Sequence, residues 1–366
     1  MESPEVRRRY SREEWRAYVE DQLRSLLVLA FTRVPHYREA WRELVTVEQL
    51  QKFHVEDLPA LPPLEKQIAR DFPESLLVDG KPDRRHRIFA TSGSTGTPVN
   101  SYWLPEEVQK SLAIREARSC GFAGVSYKLP RATFSGRLVE PDPHSDGPFH
   151  RFNYVEKQVY FSAFHLSPRT AKQYVRALEQ HRVVWMTGYS NSIYQLAQLV
   201  LDQHFPAPTL KAVITTSEKV TPEMRQVIEQ AFSTRVYEEY GTVEDAFYVC
   251  ENEYGEKLIS PDAGIIEVVD DNFQPVSVGE QGEVLATGFI RPGQPLIRYR
   301  IGDMAILDDK PPRCGRNMPI LREVLGRVED TVYGPDGRRM VRFHGIFVNQ
   351  PYVREGQIVQ ESLHHI

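Results

Sequence analysis

The stretch from residue 183 to residue 241 constrains the fold more than any other part of this chain. "VVWMTG" (183–188) is a short apolar run that reads as a buried strand, and "YSNSIYQLAQLVLDQHF" after it carries helical periodicity. "KAVITTSE" (211–218) is a second strand. "TPEMRQVIEQAF" is a second helix, with Thr221 as its N-cap and Pro222 at the first helical position. "RVYEEYG" (235–241) is a third strand. Strand, helix, strand, helix, strand at this spacing predicts a parallel sheet. In such sheets ligands sit beyond the C-terminal ends of the strands, at a switch in strand order. The three ends here, at 187–188, 215–218 and 240–244, are rich in hydroxyls, glycine, tyrosine or carboxylate.

The flanks read differently. "YSREEWRAYVEDQLRSLLVLAFTRV" predicts an opening amphipathic helix, with Ser11 and Glu14 at capping-box spacing and Trp15, Val19, Leu23, Leu26 and Leu27 as its apolar stripe. "LPALPPLEKQIARDF" is a proline-rich connector leading into a short helix. From about residue 256, short strands alternate with turns: "KLISP", "GIIEVVD", "GEVLATG", "PLIRYR" and "DMAILD". This predicts a smaller, mainly antiparallel β subdomain. The expected class is therefore α/β. The 366 residues are long for one core, so one large domain with subdomains, or a domain plus part of another, is expected.

Composition narrows the function. A net charge of −5 argues against a broad nucleic-acid-binding face. The basic patches "RRRYSREEWR" and "GRRMVRFHG" read as solvated surface. Cys120, Cys250 and Cys314 are scattered, odd in number and without C-x-x-C spacing, which fits a reducing, cytoplasmic setting and no structural zinc. The N-terminus lacks the apolar core of a signal peptide, and the run "LLVLAF" is far short of a membrane span.

"ATSGSTGTPV" (90–99) places seven Gly, Ser or Thr residues in ten. Such a segment is either a loose hairpin tip or a cradle of backbone N–H and hydroxyl donors that suits phosphate oxygens, with Gly93 and Gly96 allowing close backbone approach. It is not the G-x-x-x-x-G-K-S/T loop, because Thr97 stands where that loop needs lysine. "TSGSTGTP" resembles the phosphate loop of the adenylate-forming superfamily: acyl-CoA synthetases, nonribosomal adenylation domains and luciferases. Further motifs follow in order. "YGTVE" (240–244) resembles that family's YGxTE, "YRIGD" (299–303) its YRTGD, and "GRVED" (326–330) its GRxxD hinge. "RVPHYREAW", "LPPLEKQIARDF", "FHLSPRTAKQYVRAL", "ITTSEKVTPEMR" and "PLIRYRIGD" resemble the phenylacetate–CoA ligase and capsule-biosynthesis branch. The resemblance covers roughly residues 10–366.

The resemblance implies a reaction and roles. A carboxylate and ATP give acyl-AMP and pyrophosphate, and the acyl group then passes to a thiol or another nucleophile. Since one anion attacks another, the site needs cations and N–H donors at the α-phosphate and a positioned carboxylate. Thr91, Ser92, Gly93, Ser94, Thr95 and Gly96 would hold the β- and γ-phosphates. Glu244 would bind Mg²⁺, a hard cation suited to carboxylate and phosphate oxygen. Val243 departs from the family's Thr, so either Thr242, one residue earlier, supplies the hydroxyl or one phosphate contact is absent. Thr216, Ser217, Glu218 and Lys219, with Glu239, Tyr240 and Gly241, would line the adenine. Asp303, whose two acceptor oxygens suit a vicinal diol, would hold the ribose. Arg327 would contact ribose or phosphate, and Asp330 would be the hinge. Catalytic roles fall to Glu244, Arg327 and Thr91. Phe164, His165, Gly188, Tyr189, Ser190 and Ile214 would line the acid pocket, and aromatic walls would favour an aryl acid.

The resemblance also sets a domain plan. Residues 1–326 would form the large adenylate-forming (AMP-binding) domain, with parallel α/β sheets and the smaller antiparallel subdomain. Residues 327–366 would form the hinge and the first piece of a truncated C-terminal domain. The family's small domain carries a lysine for adenylation, yet Lys310 is the last lysine here, and only about 36 residues follow Asp330 where roughly 100 would be needed. For the case that the protein is naturally this short, weak adenylation by the chain alone, with ATP or acyl-AMP binding retained, is the corresponding expectation. ATP, Mg²⁺ and CoA are the expected cofactors, and a small carboxylic acid, aromatic for preference, is the expected partner, with no nucleic acid and no membrane. Two alternatives stand beside this: passage of the acyl group to an amine, hydroxyl or carrier-protein thiol, and a nucleotide-binding pseudo-enzyme lacking the catalytic lysine.

Overall fold

The computed structural model describes residues 3–90, 99–142, 144–327, 332–333, 339–340, 359–362 and 365. In chain order, a short helix α1 (Pro4–Arg7) precedes the long α2 (Arg12–Arg33), then α3 (Pro35–Trp41), α4 (Val47–Leu50) and α5 (Lys66–Asp71). Strands β1 (Arg87–Ala90) and β2 (Asn100–Trp103) lead to α6 (Pro105–Arg115). Then come β3 (Arg131–Ser135), β4 (His150–Asn153), β5 (Gln158–Ser162), α7 (Ala171–Gln180), β6 (Trp185–Tyr189), α8 (Ser190–Asp202), β7 (Ala212–Thr216), α9 (Pro222–Phe232) and β8 (Val236–Tyr240). β9 (Val249–Glu251), β10 (Lys257–Ile259), β11 (Gly264–Val269), β12 (Gln281–Gly288), β13 (Tyr299–Asp308) and β14 (Ile320–Arg327) complete the set used below. The expected α/β class is what the structure has. Among the described residues no helix is long and apolar enough to cross a membrane.

The chain divides into two compact units. The first comprises Met1–Trp15, Leu104–Ala263 and Pro312–Met318. Its strands lie in the order β10-β9-β8-β7-β6-β3-β5-β4. β8, β7, β6, β3 and β5 are mutually parallel, as the 183–241 pattern requires, and β4, β9 and β10 are antiparallel additions. The helices bury apolar faces against the strands: Phe134, Phe161 and Met186 from the sheet meet Tyr174, Leu196 and Ile228 from α7, α8 and α9 in one core. Thr221 caps α9 by accepting from the Met224 N–H at 3.2 Å.

This unit also buries ions. Asp262 is fully buried, and its Oδ2 accepts from Arg7 Nη2 at 3.0 Å and from Arg118 Nη2 at 2.8 Å. Arg118 lies in a π-helical turn (Glu116–Cys120) that extends α6, and its other Nη donates to the Pro4 carbonyl at 2.9 Å, so one guanidinium ties α1 to α6. Burial pushes the thiols of Cys120 and Cys250 up, and so keeps them protonated and unreactive.

The second unit comprises Arg16–Trp103, Gly264–Pro311 and Pro319–Ile366. Here β11, β12, β13 and β14 form an antiparallel meander. The sequence reading put "KLISP" with this subdomain, but that strand pairs with β9 in the first unit. It also split "PLIRYR" from "DMAILD", whereas β13 runs through the glycine between them, and irregular register against both neighbours absorbs the break. β1 and β2 pair antiparallel, with Ala90 opposite Asn100. The Tyr37 hydroxyl donates to the Pro295 carbonyl at 3.0 Å and accepts from the Ile297 N–H at 3.1 Å, holding α3 to the segment before β13. Asp330 and most of residues 327–366 lie outside the described residues.

Replacing Asp262 by Ala would leave two buried guanidiniums without their anion, at a cost of about 3–5 kcal/mol. The thermal midpoint of Asp262→Ala is expected to fall by roughly 5 °C. A midpoint equal to that of the parent chain would contradict this account of the buried triad.

Candidate active site

Some of the polar residues named from the sequence, Tyr189, Ser190, Thr216 to Lys219 and Glu239 to Glu244, lie at or just beyond the ends of parallel strands. Tyr189 at the end of β6 pairs with Thr216 at the end of β7, and Thr215 pairs with Glu238 of β8. The chain order reverses between β3 and β6, which lie side by side although β5 and α7 intervene in sequence. That is the switch point at which such sheets leave a crevice. Gly188 occupies it with φ +127°, and a Cβ there would lie 1.8 Å from the Phe134 carbonyl oxygen, so the two backbones touch where no side chain fits. The Tyr189 hydroxyl faces Gly136 on the other side: a Cβ on Gly136 would come within 2.9 Å of it.

Glu218 closes this edge. Ser217 takes φ +70° after β7, and the Glu218 carboxylate then accepts from Ser190 Oγ at 3.2 Å and from the Asn191 N–H at 2.9 Å. These two residues begin α8, so the carboxylate sits on the positive end of that helix. Lys219 follows directly.

The segment after β8 is braced from below. Glu239 Oε2 accepts from Arg115 Nη1 at 3.2 Å, and Asp245 Oδ1 accepts from Arg115 Nη2 at 3.1 Å. The Arg115 guanidinium lies 4.5 Å from the ring centroid of Tyr248. The Tyr248 hydroxyl bonds Glu239 and, at 2.8 Å, Ser119 of the π-helical turn. Burial works against the charge on Arg115, but Asp245, Tyr248 and Glu239 outweigh it and hold the guanidinium more firmly protonated than usual. Burial pushes the Tyr248 phenol up, and the Glu239 charge adds to it. The Tyr240 ring packs on Phe247 at 4.8 Å, while Gly241 and Thr242 turn the chain, the Asp245 N–H donating to the Thr242 carbonyl at 3.1 Å. Glu244 is buried, 4% exposed, within this turn. Buried Thr242 Oγ1 and Asp245 Oδ2 find no hydrogen-bond partner among the described residues.

In the second unit Asp303 and Arg327 lie opposite each other on β13 and β14. Arg327 Nε reaches Asp303 Oδ1 at 3.2 Å, and its Nη1 donates to the Ile301 carbonyl at 3.1 Å. Lys66 Nζ donates to the same carbonyl at 3.3 Å. The sequence motifs named Asp303 and Arg327 separately; the structure makes them an ion pair.

Thr91, Ser92, Gly93, Ser94, Thr95, Gly96 and the hinge Asp330 lie outside the described residues. Phe164 is 68% exposed. His165 has both ring nitrogens engaged, Nδ1 with Ser162 Oγ at 2.7 Å and Nε2 with the Asp142 carbonyl at 2.8 Å, and its ring stacks on Phe149. Ile214, expected in the acid pocket, is 1% exposed and packs among Cys120, Trp185 and Tyr237, so its side chain belongs to the core. Arg115, Asp245 and Tyr248 escaped the sequence reading. Asp245 and Tyr248 lie just beyond "YGTVE", but nothing local marks Arg115.

The order of motifs along this fold resembles that of the adenylate-forming superfamily, and the chain is similar to proteins of its phenylacetate–CoA ligase branch. Protein CapK of Staphylococcus aureus is 26% identical over 296 residues, which span 80% of this chain and 64% of CapK. Phenylacetate-coenzyme A ligase of Thermus thermophilus is 26% identical over 334 residues, 87% of this chain and 72% of the ligase. An open conformation of 2-hydroxyisobutyryl-CoA ligase, in complex with 2-HIB-AMP and CoA, superposes with a TM-score of 0.70 at 19% identity, covering 92% of this chain and 80% of the ligase chain. This last likeness is one of fold. No family model matches the chain.

Removing the Glu218 carboxylate would strip acceptors from Ser190 and from the first turn of α8. Glu218→Ala is expected to cost about 1–2 kcal/mol in urea unfolding. No change in the urea midpoint would show that the contact carries no stability.

Proposed function

We propose that this chain activates a carboxylic acid with ATP, forming an acyl-AMP and releasing pyrophosphate, and passes the acyl group to CoA. One observation carries the reading: the turn bearing buried Glu244 follows β8, on the same edge of the parallel sheet as the ends of β6 and β7. That is where this sheet architecture holds ligands. The names of the relatives support it, since two of them are phenylacetate-coenzyme A ligases.

Roles follow residue by residue. Thr91, Ser92, Gly93, Ser94, Thr95 and Gly96 take the β- and γ-phosphates. Thr216, Ser217, Glu218 and Lys219, with Glu239, Tyr240 and Gly241, hold the base. Asp303, kept in place by Arg327, takes the ribose hydroxyls, and Asp330 serves as the hinge. Gly188, Tyr189 and Ser190 border the acid. The donor set around Glu244 suits Mg²⁺: a buried carboxylate and the buried Thr242 hydroxyl, which lacks a partner among the described residues, are both hard oxygen ligands. When bound, Mg²⁺ would neutralise phosphate charge and so ease the attack of one anion on another. The chain's own part is to hold the nucleotide and the carboxylate in line and to keep water from the reacting atoms.

We further propose an aryl acid as substrate. The Tyr189 ring at the switch point, with its hydroxyl against Gly136, offers a flat apolar face beside a polar tip.

A pyrophosphate-release screen with Mg-ATP over aromatic and aliphatic acids tests the proposal. Release is expected with at least one acid, strongest with an arylacetic or benzoic type. Glu244→Gln is expected to lower kcat/KM by about 100-fold or more. Pyrophosphate release that is indifferent to Glu244, or absent with every acid, would remove the proposal.

A further inference from the structure

Glu244 does not hold its own position. It sits in a turn whose backbone is unusual: Asp245 takes φ +47°, a conformation that costs a non-glycine residue energy. Something must hold that turn, and Arg115 is built to do so. Its guanidinium reaches Glu239 Oε2 at 3.2 Å before the turn and Asp245 Oδ1 at 3.1 Å after it. The planar fork of arginine offers two divergent N–H donors at fixed spacing, which the single ammonium of lysine cannot reproduce. Tyr248 lies against the guanidinium and anchors Glu239 from its hydroxyl, and Ser119 anchors Tyr248 in turn. Arg115 ends α6 just where the helix passes into its π-helical turn, and that turn carries Ser119. A π-helical turn changes the direction of side chains relative to an α-helix, and such turns recur at functional sites. The brace is well shielded: the side chains of Glu239 and Asp245 are 8% and 2% exposed.

We propose that Arg115 is the positioning residue for Glu244: by clamping Glu239 and Asp245 together it sets the backbone between them, and so presents the Glu244 carboxylate to the divalent cation of a bound nucleotide. The inference rests on the proposed function, because it gives Arg115 a role only if Glu244 meets the cation. In this role Arg115 acts through Glu239 and Asp245. Its signature is therefore a change in the cation dependence of nucleotide binding.

The test is calorimetric titration of the full chain with ATP at a series of Mg²⁺ concentrations, and with ATP in EDTA. For Arg115→Lys, the Mg²⁺ concentration giving half-maximal ATP affinity is expected to rise about tenfold, while metal-free ATP binding stays within about twofold of the parent. Asp245→Asn keeps an acceptor at Oδ1 and loses the charge; it is expected to show a smaller shift, about threefold, and serves as the reading should Arg115→Lys fail to fold. Ile228→Ala opens a cavity in the core of the same unit, away from the turn, and controls for lost stability. Its melting point should fall with the cation dependence unchanged. The proposal is overturned if Arg115→Lys and Asp245→Asn both leave the cation dependence where it was, or if Ile228→Ala moves it equally. Parent protein that binds no Mg-ATP would remove the functional reading itself, and this inference with it. Parent binding that is intact while both Arg115→Lys and Asp245→Asn are indistinguishable from it removes the inference alone.

Discussion

The in-register parallel pairing of β6, β7 and β8 is the constraint on which the candidate site depends. A parallel ladder forces successive strands to end on the same edge, so whatever follows each strand is gathered there. In this chain Tyr189 and Ser190, Thr216 to Glu218, and Tyr240 to Glu244 follow those strands. Gly188 makes the arrangement possible at the switch point, because its missing side chain lets β6 lie against the carbonyl of Phe134. A hydrophobic core of sheet and helix residues then fixes the strand ends without any of the polar groups contributing to it.

Charge is handled in the same spirit. Asp262 is shared by Arg7 and Arg118, Asp245 and Glu239 share Arg115, and Glu267 is met by Arg298 at 3.1 Å. Burying an ion is expensive unless it is paired and hydrogen-bonded. Arg298 shows how completely this can be met: besides Glu267 it donates to the carbonyls of Leu61 and Phe273. Burial pushes the Glu267 carboxyl up, and Arg298 partly restores its charge. Such networks suit a frame that must keep polar groups at fixed places. The positive φ at Ser217 and Asp245 falls where the frame has polar groups to present, in keeping with strain held by its surroundings.

Much of this was legible in the sequence, for identifiable reasons. The strands and helices between residues 183 and 241 follow period and capping rules that act over a few residues, and each appears with boundaries shifted by no more than a few positions. The Ser11–Glu14 capping box is present, with the Ser11 N–H donating to the Glu14 carboxylate at 2.7 Å. The misses are long-range. "PLIRYR" and "DMAILD" looked separate because Gly302 resembles a turn, yet ladder pairing on both sides carries β13 through it. "KLISP" was grouped by its neighbours in sequence when its partner is β9. Ile214 was placed in a pocket by motif position, although an apolar residue inside a central strand has the core as its other possible face. Arg115 could not be found at all, since its partners lie 124 and 130 residues away and no local pattern encodes the pairing.

The central claim is the proposal that Mg-ATP is held at the tips of β7 and β8, with the residues of 91–96 as its phosphate ligands. Hydrogen–deuterium exchange with and without Mg-ATP tests it most directly, because backbone N–H groups that turn towards phosphate or lose solvent slow their exchange. The account predicts slowed exchange concentrated in peptides covering residues 90–99, 215–220 and 239–246. No change anywhere, or slowing confined to other parts of the chain, would contradict it.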